Sequence, residues 1–182
     1  MKQFIFITTL FLFVSCGQGF DTKTTNIDKN SCEQTDINDQ SISAIEIKIA
    51  ENNILVEIAL TFINSYVDNC NKMKGAIDII EWVDSNNLTT NFFKNEVRTI
   101  IEKANQEDPE LGLGFDPILD AQDFPDEGFE FAAFDDKINF IVVKGKKWED
   151  FKLTIKMILE DNKWLVDGCG IVNIPDNKRS KR

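Results

Sequence analysis

Histidine is absent from this 182-residue chain, and tyrosine occurs once, as Tyr66. The first absence removes the side chain that titrates near neutral pH, and with it the commonest proton shuttle and metal ligand. A general base would therefore have to be a carboxylate whose pKa is lifted by burial. No GxSxG, Walker A, HExxH or CxxC pattern is present, so the chemistries those signatures carry have no foothold in the sequence. Positive charge is also short. Lys and Arg total 20 against 31 Asp and Glu, for a formal net charge of −11. Four of those basic residues (Lys178, Arg179, Lys181 and Arg182) sit in the last five positions. Such a surface repels phosphate backbones, and nucleic acid is not an expected partner. Finally, no apolar run reaches the roughly 20 residues that a membrane-spanning helix needs.

One shorter run is informative. Residues 4–14 form an 11-residue apolar stretch, broken only by two threonines and preceded by Lys2. That is the anatomy of a secretion signal. It stops at Val14-Ser15-Cys16-Gly17, which resembles a bacterial lipobox. The resemblance implies that residues 1–15 are a lipoprotein signal peptide and that Cys16 becomes a diacylated N-terminus. The plain alternative is an ordinary signal cleaved elsewhere. Residues 16–40 are polar and too poor in apolar side chains to order themselves, and read as a flexible tether. As a random coil it reaches on the order of 25–30 Å. Acyl chains contribute roughly 0.8 kcal/mol per buried methylene, enough together to hold a protein on a membrane. The expected address is the bacterial cell envelope at the outer membrane, facing periplasm or exterior, with the membrane as partner through Cys16.

With 42% hydrophobic residues and 15 phenylalanines, residues 41–177 supply one domain with an ample core. Residues 178–182 are a basic tail, expected to be solvated. Residues 41–50 alternate Ile45, Ile47 and Ile49 with Glu46 and Lys48. They read as a short strand or as the start of the next helix. From residue 54 the spacing becomes three and four, with Leu55, Ile58, Phe62, Tyr66 and Met73 along one face, so residues 54–72 form a helix stopped at Gly75. Residues 76–84 are a second helical piece with Ile77, Ile80 and Val83 inward. Thr89 or Thr90 caps a third helix with Phe93, Val97, Ile100 and Ala104 buried, ended by Asp108-Pro109.

Residues 108–125 contain three prolines and two glycines, so neither helix nor strand runs through them. Their Leu, Ile and Phe content predicts an ordered connector on the core, with aspartates outward or into a cleft. Strands follow at 128–134, 138–144, 151–160 and 164–174. The third is the cleanest, alternating Leu153, Ile155, Met157 and Leu159 with Lys152, Thr154, Lys156 and Glu160. Asp161-Asn162 makes a hairpin turn, and Gly168 and Gly170 predict a bulge or bend. Helices followed by an antiparallel four-stranded sheet give an α+β domain.

The chain from about residue 59 to 175 resembles the NTF2-like superfamily, in particular a group of uncharacterised bacterial lipoproteins with an NTF2-like domain of unknown function. The residues that carry the resemblance are Phe62-Ile63, Leu113-Gly114-Phe115-Asp116-Pro117, Ala121-Gln122-Asp123-Phe124-Pro125 and Trp164-Leu165-Val166-Asp167-Gly168. It implies a cone, with N-terminal helices packed on a curved sheet, and no established activity.

Three functional readings compete. The leading one is a non-catalytic binding or accessory module for an envelope protein partner or a small ligand. The second is a carboxylate enzyme, a hydrolase or isomerase working in the cone, with Asp167 as base and Tyr66 as oxyanion partner. The third is a cation-binding protein, because residues 104–136 hold eleven acidic side chains and no basic one. The spacing of Asp116, Asp120, Asp123 and Asp126 matches no Ca²⁺ loop, so no metal or cofactor is expected. Lys144, Lys146, Lys147, Lys152 and Lys156 are natural partners for these acids. Asp116, Asp120, Asp123 and Trp164 are the ligand-binding candidates. With Cys16 lipidated and Cys32 in the tether, Cys70 and Cys169 are expected to form a disulfide, the alternative being two buried thiols.

Overall fold

The computed structural model describes residues 39–180 except 136, with side chains from residue 44 onward. The leader, Cys16, Cys32, the tether to residue 38 and the last two residues lie outside the described residues.

Leu55, Ala59, Phe62, Ile63, Tyr66 and Val67 recur at steps of three and four and are almost wholly buried. They build the first helix, α1 (Asp39–Cys70), which touches all four strands of the sheet. Its start corrects the strand alternative for residues 41–50. Their alternating isoleucines lie on helix and stay in solvent, Ile45 at 60%, Ile47 at 68% and Ile49 at 55% exposure. A lone strand there would leave its backbone groups unpaired, whereas a helix already nucleated downstream extends by pairing its own. At the other end α1 stops two residues sooner than its pattern suggests, so Met73 falls beyond it and is fully exposed.

Asp78 caps α2 (Ile79–Ser85) by accepting from the Ile80 N–H, and Trp82 and Val83 are buried. Ile77, expected inward, lies before this helix on the surface. Its backbone N–H and C=O are held instead by the side-chain amide of Asn69. Thr90 caps α3 (Asn91–Glu107), which buries Phe93, Val97 and Ala104 and ends where Asp108 precedes proline. Phe62 joins the three helices. Its ring centroid lies 5.6 Å from Trp82 and 5.7 Å from Phe93, contacts worth about 0.5–1.5 kcal/mol each beyond buried area.

The strands are β1 (Phe129–Asp135), β2 (Phe140–Gly145), β3 (Lys152–Glu160) and β4 (Lys163–Cys169), paired antiparallel in that order. The fold class is α+β. Asp161 and Asn162 both take positive φ, 49° and 60°, the backbone of a type I′ hairpin turn. Ile141, Val143, Leu153, Ile155, Met157 and Val166 join the α1 side chains in one core. Two register breaks bend the sheet, one between Phe131 and Ala133 and one opposite Lys156 and Met157. The second leaves Asp167 as the extra residue of β4, because Lys156 pairs with Gly168 and Met157 with Val166.

The other sheet face is not simply wet. Thr154 is buried because the C-terminal segment crosses it, its hydroxyl donating to the Lys178 carbonyl at 2.9 Å. Arg179, expected in solvent, donates to the Ile171 and Ile174 carbonyls and pairs with Asp176. The free edge of β4 is covered by residues 88–90, through Val166 N–H to Leu88 C=O and Thr90 N–H to Val166 C=O.

Candidate functional site

Two acids drawn into the fold organise its polar interior. The first is Asp116. Pro117 fixes φ after it, and the chain folds back so that Asp116 and Ala121 exchange backbone hydrogen bonds. One carboxylate oxygen, Oδ1, accepts from the Ile118 and Leu119 N–H groups at 2.8 and 2.9 Å. The other, Oδ2, accepts a short hydrogen bond from the Tyr66 hydroxyl. Ile118 and Leu119 are fully buried beneath. The same turn is tied to the end of β4, where Ile171 N–H donates to Pro117 C=O and the Cys169 thiol donates to Ile118 C=O. Tyr66 and Asp116 were read separately from the sequence, and the structure joins them as one latch between α1 and the connector.

The electrostatics follow from burial. Loss of water pushes the Asp116 carboxyl above its ordinary range, opposed by the bonds from Tyr66, Leu119 and Ile118. Burial, and then the negative charge of Asp116, drive the Tyr66 phenol far above its usual value. The same two causes push the Cys70 thiol up to about 11. Tyr66 is thus a fixed donor and Cys70 a poor nucleophile at neutral pH.

The second acid is Asp167, 4% exposed at the β4 bulge. Its Oδ1 accepts from the Thr90 hydroxyl and its Oδ2 from the Lys156 ammonium, both at 2.8 Å. Thr90 simultaneously accepts from the Phe93 N–H as the cap of α3. Asp167 is therefore the ion-paired hub between α3 and β3. Tyr66 does not bond to it, because its hydroxyl donates to Asp116. Lys156, expected to answer the acids of residues 104–136, is turned to Asp167 instead. Lys144 and Lys147 do pair with that stretch, with Glu130 at 3.2 Å and Glu127 at 2.5 Å.

The remaining candidates are dispersed. Asp120 follows the Asp116 turn with φ of 53°, and Asp123 is exposed. Among the described residues no three Cys, Asp or Glu side chains gather as metal ligands. Cys70 and Cys169, expected as a disulfide, are not bonded to each other in the structure. Each faces the connector turn, Cys70 beside Tyr66 and Asp116 and Cys169 against Ile118.

Trp164 lies apart from the aspartates. With Asn139 of the β1–β2 turn and Ile47, Lys48, Glu51 and Leu55 of α1, it lines a cavity of about 350 Å³. A second hollow of about 260 Å³ at the start of α3 is lined by Asn87, Thr89, Asn91, Glu160, Asp161 and Lys163. No family model, curated protein or solved structure matches the chain. The geometry alone therefore speaks for the site.

Sequence reasoning missed Lys156 as the partner of Asp167 and the α1 wall of the Trp164 cavity. The first had a faint signal, a lysine on the hairpin partner of the strand in which Gly168 and Gly170 predict a bulge. The second had none, because residues 41–50 carried no clear helical period.

Proposed function

We propose that this is an envelope lipoprotein, anchored to the outer membrane at Cys16, whose domain is a non-catalytic binding or accessory module for a protein partner or small ligand. We further propose that the domain is an NTF2-like cone, a reading supported by the helices on one face of a four-stranded meander with two bulges. The observation that carries the non-catalytic reading is the state of two acids, the buried Asp167 and the half-buried Asp116. Every carboxylate oxygen of Asp116 and Asp167 already accepts a hydrogen bond from inside the fold. A general base needs a lone pair within reach of substrate; Asp167 is 4% exposed, and both carboxylates are aimed at groups that hold elements together.

The test is in cells. Labelled palmitate should enter the wild-type protein and not Cys16→Ala, and cross-linking followed by affinity capture should recover the same partner from wild type and Asp167→Asn. Label retained by Cys16→Ala would end the anchoring proposal. An envelope turnover abolished by Asp167→Asn, with the fold intact, would replace the module by an enzyme.

A further inference from the structure

An uncovered sheet edge presents unpaired N–H and C=O groups to any strand that can reach it. The β4 edge is closed by residues 88–90. Among the described residues, the β1 edge is closed only at Phe129. There the Asn64 side-chain amide donates to the Phe129 C=O at 3.1 Å and accepts from its N–H at 2.7 Å. It thus supplies the donor and acceptor that a neighbouring strand would offer. Backbone groups alternate in direction along a strand, so those of Phe131 also point away from β2. Past the bulge Ala133 pairs with Val142, which turns the groups of Phe134 outward as well. No loop or side chain among the described residues bonds to either. Glu130, Phe131, Ala132 and Ala133 are exposed in succession, Phe131 at 44%. We propose that this edge takes an added strand, an extended and positively charged peptide segment of a partner protein. This deepens the binding-module reading, and rests on it, by naming the surface and the chemistry of the partner.

Charge selects the occupant. Residues 104–136 carry eleven acidic side chains and no basic one, in a chain of net charge −11. Lys147 and Lys144 answer Glu127 and Glu130, while Asp135 at the end of β1 has no cationic partner among the described residues. A positively charged segment is drawn to such a surface and an acidic one is repelled. A second copy of the chain brings the same acids. Laid antiparallel and centred between Ala132 and Ala133, it sets Glu130 against Asp135 twice, and like charges directly opposed destabilise a sheet. The bulge between Phe131 and Ala133 also denies the flat, regular edge on which copies stack. A short heterologous peptide escapes both objections, and the exposed Phe131 ring gives its apolar side chains a surface to cover.

The experiment titrates the full chain in detergent with two capped hexapeptides, KVTVTK and EVTVTE, and follows amide hydrogen exchange. The basic peptide should bind saturably and slow exchange of the Phe131 and Phe134 amides at least about threefold. The acidic peptide should bind at least about tenfold more weakly. Methylating one alternate set of backbone nitrogens in KVTVTK should cost the same factor and methylating the other set should not, since only one set faces β1. Phe131→Pro removes the outward N–H at a place where an edge strand tolerates proline, and should weaken binding likewise. The methylated pair carries the test if that variant does not fold. Equal binding of both peptides overturns the charge assignment, and equal loss from both methylated forms overturns strand addition. Phe131 and Phe134 amides protected before any peptide is added also overturn it: protection that grows with protein concentration gives the edge to a second copy, and protection that does not gives it to residues 16–38 of the same chain. So does the lack of saturable binding at about 10 mM of the basic peptide. If partner capture by the wild-type chain persists in that case, the accessory-module reading stands while this inference falls.

Discussion

Thr90 shows how much one hydroxyl holds. It caps α3 through the Phe93 N–H and donates to Asp167. Thr90→Val keeps the shape and removes both bonds. It should cost about 2–3 kcal/mol in urea unfolding, an N-cap at about 1 and the rest from weakening a buried carboxylate's shell. Thr90→Ser should recover most of that. Asp116 makes a prediction in pH. Burial raises its carboxyl above the ordinary 3.8, so the folded chain holds this proton more tightly than the unfolded one. Its contribution is then whole below the unfolded value and is lost as pH rises through the folded one. Asp116→Asn cannot titrate. Wild type should therefore lose stability relative to that variant from about pH 4 toward neutrality, and parallel curves would show that the site is not strained by its charge. Cys70 supplies a kinetic check. A thiol pushed up to about 11 has on the order of a hundredfold less thiolate at pH 7.5 than a free cysteine near 8.5. Iodoacetamide should modify it correspondingly slowly, and faster in Asp116→Asn, where a neighbouring negative charge is gone.

The connector between α3 and β1 is the element on which the others converge. Its position was legible, since Asp108-Pro109 had to end a helix and the residues Ile118 and Leu119 were too apolar for a free loop. Its contacts were not. Gly170 shows why, because its role depends on a chain segment some fifty residues away. It sits at φ of 62°, and a Cβ there would collide with the Pro117 and Ile118 carbonyls. Gly170→Ala should cost about 3 kcal/mol or more from the clash and the left-handed backbone together. A midpoint in urea within error of wild type would mean that the turn and the β4 end are not packed as described. The fourth strand, expected over 164–174, ends at Cys169, where the chain turns at Gly170. The third was read well because a period of two is a local property, visible in Leu153, Ile155 and Met157. Residues 41–50 were read ambiguously for the same reason. Their isoleucines alternate, yet the helix of residues 54–70 propagates back through them.

At the scale of the whole molecule, stability is uneven along α1. Side chains of residues 44–50 are all exposed, whereas Leu55 to Val67 feed the core. Without ligand, amides of residues 44–50 should exchange orders of magnitude faster than those of residues 59–67, since local opening there unburies almost nothing. Uniform protection along the helix would mean that something covers the first turns. Composition and local period by themselves determined that the chain is acidic, that it carries helices before strands, and that Asp161-Asn162 makes a hairpin turn, because these depend on neighbours within a few residues. Only the tertiary structure decided what the polar core does. Tyr66 with Asp116, and Thr90 and Lys156 with Asp167, are partners separated by 11 to 77 residues. No local pattern encodes such pairs; they form because each buried carboxylate must find donors wherever the packed chain brings them.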